Sequence, residues 1–311
     1  MQTYHHHQFQ DTAQLCDRKE AAGQSISVVI PTWNESATIG AIVGSIREAW
    51  MERCSLVDEI IVMDSGSTDA TTSIAEQAGA SVYAADQVAA EFGNHPGKGE
   101  NLWKSLFVSR GSICVFIDGD ILNFHPGYIS GLVGPLLENS HTHYVKAFYQ
   151  RPLQVAGKAT EQGGGRVSEL LVRPLFSLFY PELCALHQPL SGEYAVRRSL
   201  LEQLSFPTGY GVEIAHLIDV LSLHGIGSMA QCDLDSRLHR NRSLEELGQM
   251  SCTILHTFFQ RAERDGMLRL QQELGDHCMQ HTRTPLGWQM RQIPVIDHVR
   301  PPFSSLTATA R

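Results

Sequence analysis

The sequence lacks a Cys-x-x-Cys pair, a P-loop, any internal repeat and any apolar run approaching the roughly 18 residues of a membrane span. Its seven cysteines (Cys16, Cys54, Cys114, Cys184, Cys232, Cys252 and Cys278) are odd in number and scattered. That pattern does not suit a disulfide framework and predicts reduced thiols in a cytoplasmic, soluble protein. Positive charge is scarce: 24 Lys and Arg stand against 33 Asp and Glu, a formal net charge of −9. The balance argues against nucleic acid and against a membrane surface as partners, while a local basic pocket for a small anion stays compatible. Residues 1–10 carry His5-His6-His7 but no apolar run with a cleavage site, so they read as a loose polar start without a secretory signal. With 42% apolar and 18% charged residues among 311, the chain has the composition of an ordinary globular protein.

What is present begins with residues 114–120, Cys-Val-Phe-Ile-Asp-Gly-Asp. Four apolar residues, some β-branched, predict a fully buried strand that runs into Asp118 and Asp120, separated by Gly119. Open α/β sheets bind ligands at the carboxyl ends of their strands. A carboxylate pair there suits a hard cation such as Mg²⁺ or Mn²⁺, which can in turn hold the diphosphate of a nucleotide. A plain polar turn uses the same three residues, and the triplet alone does not choose.

Residues 27–30 predict a first strand, stopped by Pro31 and followed by Thr32-Trp33-Asn34-Glu35-Ser36. Ile39, Ile42, Val43, Ile46 and Trp50 keep helical spacing, with residues 34–36 as the expected cap. Residues 60–63 predict a strand running into Asp64-Ser65-Gly66-Ser67-Thr68-Asp69, then a helix over 70–78 and a strand over 79–83. This βαβ rhythm belongs to a parallel, doubly wound sheet, and makes the half up to Asp120 a nucleotide-binding candidate. Lys98, between Gly97 and Gly99, opens a helix and faces either an anion or solvent.

Further on, residues 144–149 predict a strand, and Gly163-Gly164-Gly165-Arg166-Val167-Ser168-Glu169 leads into a helical pattern. Successive glycine N–H groups with an arginine fork make an anion nest, and equally a hinge. Glu193 and Glu213 are each compatible with a surface position or a site. Arg237, His239, Arg240 and Arg242 concentrate basic charge just before a capping-box helix start at Ser243 and Glu246. Beyond about residue 266 the chain is polar and carries Pro285, Pro294, Pro301 and Pro302, which predicts a helical tail and a disordered end.

Taken in order, Val28-Val29-Ile30-Pro31-Thr32-Trp33-Asn34-Glu35, the 64–69 segment, Gly97-Lys98-Gly99, Asp118-Gly119-Asp120, Gly164-Gly165-Arg166-Val167, Ser191-Gly192-Glu193-Tyr194, Gly209-Tyr210-Gly211-Val212-Glu213 and His239-Arg240-Asn241-Arg242 resemble the retaining GT-A glycosyltransferases of family 81. These are the glucosyl-3-phosphoglycerate synthases and their mannosyl relatives. The likeness spans residues 26–260, with Gly119 where the family often has serine and Ser191 where glycine is frequent.

The resemblance implies an α/β GT-A fold with a flexible start at 1–25, a nucleotide-sugar half at 26–120, an acceptor half at 121–265 and a helical extension and tail at 266–311. It implies glucose transfer from a nucleotide donor, UDP-glucose by preference, to the 2-hydroxyl of 3-phosphoglycerate, on the way to glucosylglycerate. A mannosyl enzyme using GDP-mannose, a family 2 type transferase with another acceptor, and an inactive nucleotide-sugar or metal sensor are the competing readings. Pro31, Thr32, Trp33, Glu35, Asp64, Ser65, Lys98, Asp118, Gly119, Asp120, Gly192, Tyr210 and Glu213 would hold the nucleotide sugar. Gly164, Gly165, Arg166, Val167, Ser168, Asn241 and Arg242 would receive the acceptor. Asp120 and His239 would bind the Mg²⁺ or Mn²⁺, and with Arg237 and Glu213 would carry catalysis. Front-face attack is the family's expected route, with Glu213 as the candidate nucleophile for a double displacement. A homodimer is implied as well.

Overall fold

The computed structural model describes residues 1–155, 158–160, 165–238, 243–285, 287–295 and 298–309. Gly164, His239, Asn241 and Arg242 lie outside the described residues. The centre is an eight-stranded sheet. Its strands are β1 (Gln2–His5), β2 (Ile26–Thr32), β3 (Glu59–Asp64), β4 (Ser81–Ala84), β5 (Ile113–Phe116), β6 (Tyr144–Gln150), β7 (Tyr194–Arg197) and β8 (Met229–Ser236). They lie in the order β1-β8-β6-β7-β5-β2-β3-β4. Only β7 runs against its neighbours, antiparallel to both β5 and β6. The other seven strands therefore point one way and end at one edge.

Side chains alternate across this sheet with period two. Val29, Cys114 and Phe116 pack into one apolar cluster, while Val28, Ile30, Ile113 and Val115 pack into the other. Helices Ile39–Arg47 and Gly127–Glu138 cover the second face. Helices Lys98–Val108, Val212–His224 and Leu244–Arg264 cover the first. All four residues of β5 are fully buried, as an apolar run of that length requires. The predicted capping box at Ser243 and Glu246 is present, both hydrogen bonds formed. Among the described residues no helix is long and apolar enough to cross a membrane.

Three local expectations need correction. Residues 1–25 are built into the fold rather than loose. β1 extends the sheet beside β8, and helix Thr12–Ala21 follows, capped by the Asp11 side chain. Phe9 and Leu15 are buried, an apolar gain that a polar-looking segment conceals because only two side chains carry it.

The loop 34–36 does not cap the next helix, which starts at Ile39 behind Thr38. It ties the ends of β2 and β3 together instead. The Asn34 side chain accepts from the Thr68 N–H at 2.8 Å, the Glu35 N–H donates to Thr71 Oγ1 at 2.8 Å, and the Ser36 N–H donates to Asp69 at 3.2 Å.

The helical tail is a β-hairpin, His277–Thr284 paired with Gly287–Pro294, followed by a short helix Phe303–Thr309. The hairpin's first strand alternates exposed and half-buried residues, a period-two pattern. Arg300 then anchors the chain, donating to the fully buried Glu100 at 2.8 and 2.6 Å.

Candidate active site

A cleft of about 650 Å³ opens along the shared carboxyl edge of the sheet. The segments that leave β2, β3, β5, β6 and β8 each supply part of its wall. After β2 come Pro31, Thr32, Trp33 and Glu35, with Trp33 exposed. Ser65 follows β3, and its hydroxyl accepts from Asn101 Nδ2 at 2.7 Å. Asp118, Gly119 and Asp120 follow β5, where Thr38 Oγ1 donates to the Gly119 carbonyl at 2.5 Å and pins the turn.

Lys98 enters from the start of its helix, which lies tight on the chain beside it. A side chain on Gly99 would begin 1.8 Å from the Pro207 carbonyl oxygen. Lys98 Nζ then lies 2.5 Å from Asp118 Oδ1 and 2.9 Å from Glu213 Oε1. Arg237, which leaves β8, is almost wholly buried and bridges the other acids. Its Nη2 lies 2.6 Å from Asp120 Oδ1, 3.0 Å from Asp118 Oδ2 and 3.4 Å from Glu193 Oε1. Beneath it Tyr149 donates to Glu193 Oε2 at 2.5 Å, and Arg151 donates to the Tyr149 oxygen at 2.8 Å.

The charges follow from this packing. Burial alone would raise the Asp118 pKa, but Lys98 and Arg237 outweigh it and hold the carboxyl well below its usual range. Burial opposes the Lys98 charge too, and Asp118 and Glu213 reverse it, keeping the ammonium protonated. Glu193 goes the other way, raised by burial despite Arg237 beside it. Asp120 stands at the open side, its side chain about one-third exposed. Among the described residues the carboxylates Asp118, Asp120 and Glu213 meet Lys98 and Arg237 as direct ion-pair partners, and the partly exposed Asp120 carboxylate is an oxygen donor that suits a divalent cation.

Gly165, Arg166, Val167 and Ser168 also line the cleft, at the start of a helical segment. Gly192 and Tyr210 line it as well, and Leu247, Met250 and Ile254 add an apolar side. Asp64 sits behind the wall instead. Its carboxylate accepts from the Gly66 and Ser67 N–H groups at 3.0 and 2.8 Å and from Ser67 Oγ at 2.5 Å, which shapes the turn carrying Ser65. Arg151 and Asn101 escaped the sequence reading. Arg151 lies two residues past the end of the strand predicted over 144–149, which was the available signal.

The sequence profile of glycosyl transferase family 2 matches residues 27–204. Over 280 residues the chain is 48% identical to the glucosyl-3-phosphoglycerate synthase of Petrotoga mobilis, covering 89% of this chain and 86% of that one. The chain belongs to the glucosyl-3-phosphoglycerate synthase family. Its fold is accordingly GT-A. A Mycobacterium tuberculosis glucosyl-3-phosphoglycerate synthase, crystallised with Mn²⁺, UDP and glucosyl-3-phosphoglycerate, superposes with a TM-score of 0.85 at 40% identity, over 98% of this chain and 99% of that one. The mannosyl-3-phosphoglycerate synthase of Rubrobacter xylanophilus gives 0.89 at 37% identity, over 98% and 96%. The synthase family therefore shares its architecture with a mannosyl relative, and the fold alone does not select the sugar.

Proposed function

We propose that this chain is a metal-dependent retaining glucosyltransferase. It moves glucose from UDP-glucose to the 2-hydroxyl of 3-phosphoglycerate and yields glucosyl-3-phosphoglycerate. The observation that carries the reading is one cleft lined both by an acidic, metal-suited segment at Asp118 and Asp120 and by an anion-suited segment at Gly165–Ser168. The Petrotoga and Mycobacterium relatives carry the glucosyl name, which favours glucose over mannose.

In this reading Pro31, Thr32, Glu35 and Ser65 receive the nucleoside, and Trp33 offers an exposed aromatic face to the base. Lys98 and Asp118 form a fixed pair beside the ribose and diphosphate. Asp120, together with His239, would hold Mg²⁺ or Mn²⁺, which supplies positive charge to the departing diphosphate. Arg237 keeps Asp118 and Asp120 in register and adds its own charge beside them. The first N–H groups of the segment that begins at Arg166, and its guanidinium, would take the acceptor's phosphate and carboxylate, with Asn241 and Arg242 assisting. Glu213 is paired with Lys98, which suits a carboxylate that orients the sugar during front-face attack better than one free to attack it. Trapping a glycosyl-enzyme on Glu213 would reverse that assignment.

The domain division at residues 26–120 and 121–265 into donor and acceptor halves rests on the same two lining segments, one in each half. We also read the protein as a homodimer joined through the 277–294 hairpin, which exposes Trp288, Met290 and Met279. Light scattering on wild type and Trp288→Ser tests that contact.

The deciding experiment offers 3-phosphoglycerate and Mg²⁺ with UDP-glucose, ADP-glucose, GDP-glucose and GDP-mannose separately, identifying products by mass and chromatography. Glucosyl-3-phosphoglycerate is expected from UDP-glucose. A mannosyl product from GDP-mannose would move the enzyme to its sister activity. Turnover of no donor while UDP binds would remove the acceptor assignment.

A further inference from the structure

A second donor set lies outside the transfer cleft, at the junction of β1 and β8. His5, His6 and His7 follow one another where β1 ends, and Asp235 belongs to the β8 strand beside it. His6 Nε2 lies 2.7 Å from Asp235 Oδ2, His5 Nε2 3.1 Å from Oδ1, and His7 Nε2 3.9 Å from Oδ2. One ligand atom from each of the four residues falls within 4.8 Å of all the others. None of the four lines the cleft.

Two features show that the cluster is built. Asp235 has φ of +67°, a left-handed conformation that side-chain-bearing residues seldom adopt. It sits where the β8–β6 register shifts between Asp233 and Ser236, and the kink turns its carboxylate toward the three rings. His6, for its part, is buried in a seat on helix Gly127–Glu138. A side chain on Gly127 would begin 2.4 Å from its Nδ1. Three imidazoles this close repel one another once protonated, and one carboxylate cannot serve them all. A dication engages all four groups at once.

We propose that His5, His6, His7 and Asp235 bind one divalent transition-metal ion of the Zn²⁺, Co²⁺ or Ni²⁺ class, fastening β1 to β8. Three imidazoles and one carboxylate favour these ions over Mg²⁺, which prefers an all-oxygen shell. Tetrahedral bonds of ~2.0–2.1 Å bring ligand atoms to about 3.3 Å apart, so the present spread closes by small side-chain rotations. Binding shifts the His5 proton to Nδ1, which gives up the 3.2 Å hydrogen bond from the His7 N–H. The imidazole protons now aimed at Asp235 are released or moved in the same step.

The test uses the full chain with excess Mg²⁺ and UDP present, so that the transfer cleft is occupied. Zn²⁺ binding is followed by calorimetry and Co²⁺ binding by visible absorption. Wild type should take one equivalent of Zn²⁺, give the intense bands of four-coordinate Co²⁺, and melt at higher temperature with metal. His7→Gln and Asp235→Asn should each weaken binding at least ~10-fold and abolish the thermal shift. Both keep the fold in reach, since His7 is exposed and asparagine tolerates the left-handed backbone. An Asp120→Asn chain should retain the Zn²⁺ equivalent, which separates this site from the cleft. Less than one equivalent in wild type, or unchanged affinity in His7→Gln and Asp235→Asn, overturns the proposal.

Discussion

Gly192 and Asp118 meet so closely that a Cβ on the glycine would lie 2.1 Å from Asp118 Oδ2. Asp118 cannot swing aside, because Lys98 holds one of its oxygens and Arg237 the other. Gly192→Ala should therefore push the carboxylate out of position and lower kcat/KM by roughly 100-fold, with thermal stability much less affected. Steady-state kinetics beside a melting curve would check this. A fully active Gly192→Ala enzyme would show that the Asp118 position is unimportant.

Asp120→Ala should lower kcat by about 100-fold or more at saturating Mg²⁺ or Mn²⁺. Its circular dichroism spectrum should match wild type, because the residue is partly exposed and outside the apolar clusters. Retention of full metal-dependent turnover would remove Asp120 from the metal assignment.

Arg166→Ala should raise KM for 3-phosphoglycerate with little change in KM for the sugar donor. Loss of a charge-assisted bond of about 1.5 to 3 kcal/mol corresponds to roughly 10- to 150-fold. Equal effects on both substrates would argue against an acceptor role.

Arg300→Ala should destabilise the fold by about 3 kcal/mol, because it leaves the buried Glu100 carboxylate short of its main partner. Lys104, at 3.6 Å, remains as partial compensation. Denaturant unfolding measures the loss, and a value near zero would mean that the 299–300 strand contributes nothing to holding helix Lys98–Val108.

His216 makes stability depend on pH. Burial lowers its pKa to about 3, and neither ring nitrogen has a protein partner among the described residues. Below its unfolded pKa the unfolded chain binds a proton that the native state refuses, so stability falls as pH drops from about 6.5 toward 3. The contribution is about 1.4 kcal/mol per pH unit in that window. His216→Leu should flatten the slope by that amount, as measured by unfolding at several pH values.

Much of the sheet was legible because buried strands declare themselves by short apolar runs. The segment 113–116 and the acids behind it are read directly from residues 114–120. Strand β7 was not read as a strand, since it is only four residues long and follows the polar, glycine-containing run Ser191-Gly192-Glu193. β1 was missed for a different reason: its stability comes from a partner more than two hundred residues away, and no local periodicity can encode that. Arg237 was singled out by the family resemblance, whereas the residues around it mark only a basic cluster. Nothing local distinguishes the buried arginine that clamps Asp118 and Asp120 from its neighbours, because the clamp exists only once β8 and β5 share an edge.

The pairing of Gln2 with Ala230 also bears on how the molecule assembles. During synthesis residues 2–5 emerge more than two hundred residues before β8, their strand partner among the described residues. The nascent chain therefore carries an unsatisfied strand past several completed βα units, and closing so long a loop is slow relative to local folding. Until β8 arrives, that strand is an open edge available to other chains. Docking of β1 is accordingly a late step of refolding, and hydrogen-exchange pulse labelling should find the Gln2–His5 amides protected after those of β2, β3 and β5.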